Sequence, residues 1–155
     1  MADRKPPPLA ADDRDTLMAL LRFQRESLVR KVTGVAEEAA RTRFVPSGTT
    51  LLWLVKHLSR AETVWVRQRF AGEDVALPDD DVTPADTLAG AVEEYRATWA
   101  ATDALIASAD LDTVARRADA TVNLRWILAH LLEETARHAG HADIIRELLD
   151  GQTGR

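Results

Sequence analysis

The chain has 155 residues, a formal net charge of −5 and no cysteine, and these figures exclude several classes of protein. Without cysteine it can form no disulfide and can offer no thiolate to a metal ion or a substrate. Acidic and basic residues are interleaved with an acidic excess, so we expect no nucleic-acid binding that relies on phosphate neutralisation. The length corresponds to one domain with a single core.

No part of the chain has the apolar length that targeting or membrane insertion requires. The beginning, MADRKPPPLAADDRD, lacks the apolar stretch of a signal peptide. No later run approaches the ~18 apolar residues that cross a bilayer. We therefore expect a cytoplasmic protein without a membrane partner.

Taken in chain order, the sequence predicts a flexible tail over residues 1–10, one domain over 11–151 and a short tail over 152–155. Within the domain, apolar residues recur at helical spacing in four segments. The predicted helices cover about residues 12–35, 49–71, 84–108 and 124–150.

Turn and capping residues separate these helices. Ser47 or Thr49 is expected to cap the second helix, which should end before Gly72. Thr83 followed by Pro84 predicts the start of the third helix. The acidic segment between the second and third helices is long for a compact bundle, which often indicates a functional rim. The predicted fold is an all-α four-helix bundle, up-down-up-down or with one longer crossover.

Polar residues occupy the face of the last helix that should be buried. With His130 as the reference and about 100° per residue, His141 lies near 20°, Glu134 near 40° and His138 near 80°. Apolar residues share the same arc. Glu134 and His138 are one turn apart, a spacing that lets two side chains converge on one point.

A divalent cation would explain this burial. On the second helix, His57 points toward the bundle axis or its shoulder. An uncompensated buried carboxylate costs several kcal/mol, and a cation bound by His57, Glu134 and His138 would remove that cost. Three protein ligands leave one coordination position open, as in catalytic sites. Zinc suits this mixed donor set, as do nickel, iron and manganese.

Two other readings of these residues stay open at this point. An inward histidine can be hydrogen-bonded in a core without a metal, and Glu134 and His138 can form an internal ion pair. Arg60 or Arg137 can also neutralise Glu134.

Two segments resemble a known family. The segment SGTTLLWLVKHLSRAETVWVRQRFAG resembles the second helix of DinB-like bundle proteins, and NLRWILAHLLEETARHAGHADIIRELLDG is similar to the last helix of their "mini-circle protein" branch. The related mycothiol-dependent maleylpyruvate isomerase has a His, Glu, His metal set. The resemblance implies a four-helix bundle with a divalent metal on His57, Glu134 and His138. It places His141 beside the ligands or facing the substrate, and His130 in helix packing.

The resemblance also implies chemistry. Relatives of known activity are thiol-dependent transferases or isomerases that use a low-molecular-weight thiol such as mycothiol or bacillithiol. We expect a thiol S-transferase acting on a small electrophile, with a metal that favours the thiolate and His141 as general base. The isomerase carries a further domain, so its substrate is not transferred to this chain. The alternatives are a metal-dependent hydrolase and a non-enzymatic bundle that binds a ligand or partner.

The remaining expectations concern partners. A small-molecule substrate is expected, and a homodimer is an open expectation because dimers are common among the relatives. Four arginines are candidates for contacting an anionic substrate: Arg60, Arg67, Arg125 and Arg137. Four tryptophans are expected to be core or dimer anchors: Trp53, Trp65, Trp99 and Trp126.

Overall fold

The computed structural model describes residues 5–117 and 121–153. The ends of both predicted tails, and part of the connection before the last helix, lie outside the described residues. The described part is an all-α bundle, as predicted. Its helices are α1 (Asp13–Val32), α2 (Glu37–Arg41), α3 (Leu51–Glu62), α4 (Leu88–Ile106) and α5 (Leu124–Asp150), and a π-helical segment (Thr63–Phe70) continues α3.

Side-chain caps fix the beginnings of the two helices that carry the candidate site. Thr50 Oγ1 accepts a hydrogen bond from the backbone N–H of Trp53 at 3.1 Å and begins α3. Asn123 Oδ1 accepts one from the N–H of Trp126 at 3.0 Å and begins α5. Such caps satisfy backbone donors that have no partner within the helix. Gly151, at φ 72°, ends α5 as expected.

The structure corrects two predicted starts. The cap of α3 is Thr50 and not Ser47 or Thr49. The third long helix begins after Thr87, whose Oγ1 accepts from the N–H of Gly90 at 3.0 Å. The predicted start at Thr83 is wrong because its N–H and hydroxyl both donate to the Asp86 carboxylate, at 2.7 and 3.0 Å, and form a turn.

The connection from α1 to α3 contains a helix that the apolar pattern did not predict. α1 ends at Val32, short of the predicted Val35, and Gly34 at φ 78° turns the chain. The five-residue α2 follows. The carboxylate of Glu37 accepts the N–H of Leu88 at 2.9 Å, so α2 also holds the first turn of α4.

In the bundle, α1 packs most extensively against α5 and α3 against α4. Two apolar clusters fill the core, one toward the start of α3 and one around the π-helical segment and the start of α5. No helix in the described ranges has the length and apolar character needed to cross a membrane.

A buried ion pair lies where α3 passes into the π-helical segment. Arg25 and Glu62 are each 1% exposed, and they form two hydrogen bonds of 2.6 and 2.7 Å. Arg25 also donates to Asp103 at 2.8 Å, and the Thr102 hydroxyl donates to Glu62 at 2.9 Å. Burial alone lowers the pKa of Arg25, but the charges and hydrogen bonds of Glu62 and Asp103 raise it above its ordinary value, so the guanidinium stays charged.

Candidate metal centre

The three side chains predicted as metal ligands meet between α3 and α5. His57 projects from α3, and Glu134 and His138 project from successive turns of α5. Their ligand atoms all lie within 4.8 Å of one another. His57 Nε2 and His138 Nε2 are each 3.1 Å from the same atom, Glu134 Oε1. The predicted convergence of these side chains is therefore present in the structure.

The outer nitrogen of each imidazole ring has its own partner. His57 Nδ1 is 3.2 Å from Asp80 Oδ2, and His138 Nδ1 is 3.2 Å from His141 Nδ1. A carboxylate facing Nδ1 favours the tautomer with hydrogen on that nitrogen. Metal-binding histidines commonly donate their second ring N–H to such a group, which fixes the ring orientation.

Hydrogen bonds from the outer nitrogens to these partners would leave the inner nitrogens able to bind a cation. With its proton on Nδ1, a neutral His57 presents a lone pair at Nε2 toward Glu134 Oε1. If His138 donates from Nδ1 to His141, its Nε2 presents a second lone pair to the same oxygen. Three lone pairs that converge repel one another unless a cation or a proton lies between them. The donor set therefore fits a cation that prefers imidazole nitrogen and carboxylate oxygen.

Trp53 forms one wall of the site. Its ring stacks on His57, with centroids 4.6 Å apart and an angle of 17° between the planes. The same indole meets His138 edge-on at 6.0 Å. Trp53 lies one turn before His57 on α3, so the helix itself sets the stacking distance. The predicted packing role of Trp53 thus includes holding an imidazole ring of the candidate site.

The site is largely shielded from solvent. His138 is 8% exposed, and the side chains of Glu134 and His57 are 17% and 25% exposed. Burial, which outweighs attraction to Glu134, lowers the pKa of His138 and favours the neutral ring that a cation needs. Burial alone raises the pKa of Glu134, but attraction to protons on the facing nitrogens of His57 and His138 lowers it below its ordinary value, and a cation at that position would act in the same direction.

The predicted rim supplies a residue that the sequence reasoning did not single out. Asp80 lies in the acidic loop between the π-helical segment and α4, and α3 holds this loop in place. Arg60 donates to the Pro78 carbonyl at 2.7 Å, and Lys56 donates to the Asp86 carboxylate at 2.8 Å. The acidic run that contains Asp80 was visible in the sequence. Which of its three neighbouring aspartates faces His57 depends on the path of the loop.

His141 is exposed and lies outside the converging group. Its ring centroid is 5.2 Å from that of His138, and its contact is with the outer nitrogen of that residue. This position is beside the ligands, where the resemblance placed it. Its role as proton acceptor stays a prediction.

The predicted arginines are mostly engaged elsewhere. Arg137 approaches the candidate ligands, with Nη1 3.6 Å from Glu134 Oε2, and Arg60 approaches their outer partner, with Nε 3.8 Å from Asp80 Oδ1. Arg60 is bound to the acidic loop, and Arg67 pairs with Glu73 at 2.7 Å. Arg125 pairs with acidic residues near the start of α1 and before α5.

His130 packs among aromatic rings one turn before Glu134. Its ring stacks on Trp126, with centroids 5.0 Å apart and an angle of 14°, and meets the Trp65 ring at 4.6 Å. It is not part of the converging group.

Comparison with known proteins places the chain in a family. A family model described as mycothiol-S-transferase matches residues 16–151. No curated protein matches the chain. A crystal structure of a conserved protein from Enterococcus faecalis is similar, with a TM-score of 0.60 and 18% identity, covering 92% of this chain and 100% of that one; at this identity the likeness shows the fold alone. The family match covers most of the chain and confirms the predicted resemblance: the chain belongs to the mycothiol-S-transferase family.

Proposed function

We propose that this protein is a divalent-metal-dependent S-transferase that joins mycothiol, or a closely related low-molecular-weight thiol, to a small electrophile. One observation supports the proposed metal site: two imidazoles with partnered outer nitrogens direct their inner nitrogens at a single carboxylate oxygen. The family match supports the thiol.

His57, Glu134 and His138 would hold the metal ion. Zinc is our first choice, and nickel, iron or manganese would fit the same donors. When bound, the ion would supply Lewis acidity that lowers the pKa of a thiol and favours the nucleophilic thiolate. Asp80 and Trp53 fix the ring of His57, so little reorganisation is needed when the ion binds.

A thiol nucleophile must come from a second molecule, because the sequence contains no cysteine. His141 is our candidate for accepting the thiol proton. In the resting arrangement its Nδ1 faces the Nδ1 of His138 at 3.2 Å. If His138 donates that hydrogen bond, the one unprotonated nitrogen of a neutral His141 is occupied. His141 would then have to rotate away from His138 before it takes the proton, and its exposed position leaves room for rotation.

Elemental analysis of untagged protein tests the metal site. We expect about one equivalent of a divalent metal in the wild type and near-complete loss in His57→Ala, Glu134→Ala and His138→Ala, since each removes a ligand. His130→Gln is the matched control and should keep its metal, because His130 lies among aromatic rings outside the site. Full retention of metal by Glu134→Ala would refute the ligand set.

Whether activity requires an added thiol distinguishes a thiol transferase from a hydrolase. The same donor set with an open position also fits an activated water, so a metal-dependent hydrolase is the alternative. We expect mycothiol to raise the melting temperature of metal-loaded protein but not of chelated protein, with bacillithiol and glutathione as comparison thiols. Substrate turnover without any added thiol would favour the hydrolase, and no metal-dependent shift with any thiol would count against the transferase.

A further inference from the structure

A small, largely apolar pocket lies beside the candidate metal centre, where the loop between α2 and α3 meets the last third of α5. Its volume is about 160 Å³. The lining residues are Val45, Ser47, Thr49, His141, Ile144 and Ile145. None of them is an aspartate, glutamate, lysine or arginine, although charged residues make up 29% of the chain. The pocket is therefore chemically distinct from the acidic rim on the other side of the site.

His141 connects this pocket to the candidate metal centre. It lines the pocket, and its Nδ1 is 3.2 Å from the Nδ1 of His138. Because α5 rises 1.5 Å per residue, Ile145 lies roughly 10 Å along the helix axis from His138. A ring in the pocket would place its attached carbon beside His141, whose Nδ1 contacts His138. The reactive carbon of such a molecule would therefore lie between the pocket and the candidate metal centre.

The lining favours an apolar, uncharged occupant. Ile145, 1% exposed, lies at the buried side, and Ile144, 55% exposed, lies at the mouth. The hydroxyls of Ser47 and Thr49 are 3.0 Å apart and hydrogen-bond to each other. A carboxylate in the pocket would lose hydration and meet no lysine or arginine, and an ammonium group would meet no aspartate or glutamate. The volume is close to the ~150 Å³ of an apolar cavity that holds benzene.

We propose that this pocket binds the uncharged apolar portion of the electrophile, about the size of one six-membered ring, and so sets the substrate class. This rests on the proposed transferase function. With benzyl chloride as the representative substrate, the thiol sulfur forms a bond to the benzylic carbon and the carbon–chlorine bond breaks. Chloride leaves with the bonding electron pair, and the thiol proton passes to His141 or to water.

Direct binding tests the pocket without metal, thiol or turnover. Fluorobenzene is the probe, and ¹⁹F NMR measures its dissociation constant. Ile144→Asp places a carboxylate at the mouth and should weaken binding at least tenfold. Leu148→Asp is the matched control, because Leu148 is 56% exposed one turn later on α5 and does not line the pocket. No binding to the wild type, or equal binding to all three proteins, would overturn the proposal.

Substrate preference tests the same pocket during transfer. Rates with mycothiol are compared for benzyl chloride and 4-(chloromethyl)benzoate, each relative to its uncatalysed reaction. We expect the rate enhancement to be at least tenfold larger for the uncharged substrate. Ile144→Lys should reduce this ratio at least fivefold, and Leu148→Lys should leave it unchanged. Equal enhancement of both substrates would overturn the pocket proposal. If the protein turns over neither substrate and no thiol gives a metal-dependent thermal shift, the proposed function fails, and fluorobenzene binding still decides whether the pocket binds an apolar ring.

Discussion

At the scale of single residues, the function of the site depends on which nitrogen of each imidazole carries a proton. His57 lies between two carboxylates, Asp80 on its outer side and Glu134 on its inner side. Each carboxylate favours hydrogen on the nitrogen that it faces. A cation bound to Glu134 would remove this competition at Nε2, and the ring proton would then stay on Nδ1, where Asp80 accepts it. A residue that never touches the ion can therefore control its affinity.

The Asp80→Asn variant tests whether Asp80 influences metal affinity. We expect the affinity for zinc to fall about 10- to 100-fold, because an amide holds the imidazole tautomer less strongly than a carboxylate. Competition with a chromogenic chelator measures the dissociation constant. Asp74→Asn is the control in the same loop, since its side chain is 98% exposed, and it should bind zinc like the wild type. Unchanged affinity in Asp80→Asn would show that Asp80 does not orient His57.

At the scale of structural elements, ion pairs hold α3 in its place relative to α1 and the acidic loop. The Arg25–Glu62 pair joins α1 to the end of α3 in the core. The Lys56–Asp86 pair joins α3 to the end of the acidic loop. These two pairs differ in solvent exposure, so their removal should have different consequences for stability.

Glu62→Gln should destabilise the protein by about 3 kcal/mol, because it leaves the buried Arg25 with weaker compensation. Urea denaturation measures the free energy of unfolding. The exposed pair between Glu133 and Arg137 provides the control, and Glu133→Gln should cost no more than about 0.5 kcal/mol. The double variant Arg25→Met/Glu62→Leu should recover part of the loss. Equal costs for the two single variants would contradict this account of the core pair.

The Asp86 carboxylate should make stability depend on pH. The hydrogen bond that Lys56 donates to Asp86 is the main cause that lowers the pKa of Asp86, and hydrogen bonds from Thr83 add to it. Together they lower this pKa from 3.8 to about 2. A lowered folded-state pKa adds stability above pH 3.8 that is lost as the pH falls toward 2. After allowance for the partial exposure of Asp86, we expect this pH-dependent contribution to the free energy of unfolding to be about 1 to 2 kcal/mol.

Urea denaturation at pH 5, 3 and 2 should show that Asp86→Asn removes this part of the pH dependence. Asp112→Asn, which affects an exposed pair with Arg125, should not remove it. Identical slopes for wild type and Asp86→Asn would rule out Asp86 as the titrating group.

At the scale of the whole molecule, a metal between α3 and α5 would bind the folded chain and not the unfolded one. Free metal at about 100 times its dissociation constant should add about 2.7 kcal/mol to the free energy of unfolding. For a chain of this size, chelation should then lower the melting temperature by roughly 5 to 10 °C. Thermal denaturation with and without chelator measures the difference. Glu134→Ala should show none, and a chelator-insensitive wild type would contradict the proposed metal centre.

Much of the fold and part of the site followed from the sequence alone, because they depend on interactions within one helix. The spacing of apolar residues predicted the four long helices, and Gly151 predicted where the last one ends. The α-helical repeat alone fixes Glu134 and His138 one turn apart on the same face.

The tertiary structure decided what depends on contacts between distant parts of the chain. The start of α4, the choice of Asp80 in the acidic run, and the pocket between the α2–α3 loop and α5 were not predicted. The role of Asp80 and the pocket depend on where a loop lies against a helix, and the start of α4 is held by Glu37, which lies in α2. The local sequence encodes none of these contacts. The predicted residues thus identified the candidate ligands, while the fold determined their outer partners and the space beside them.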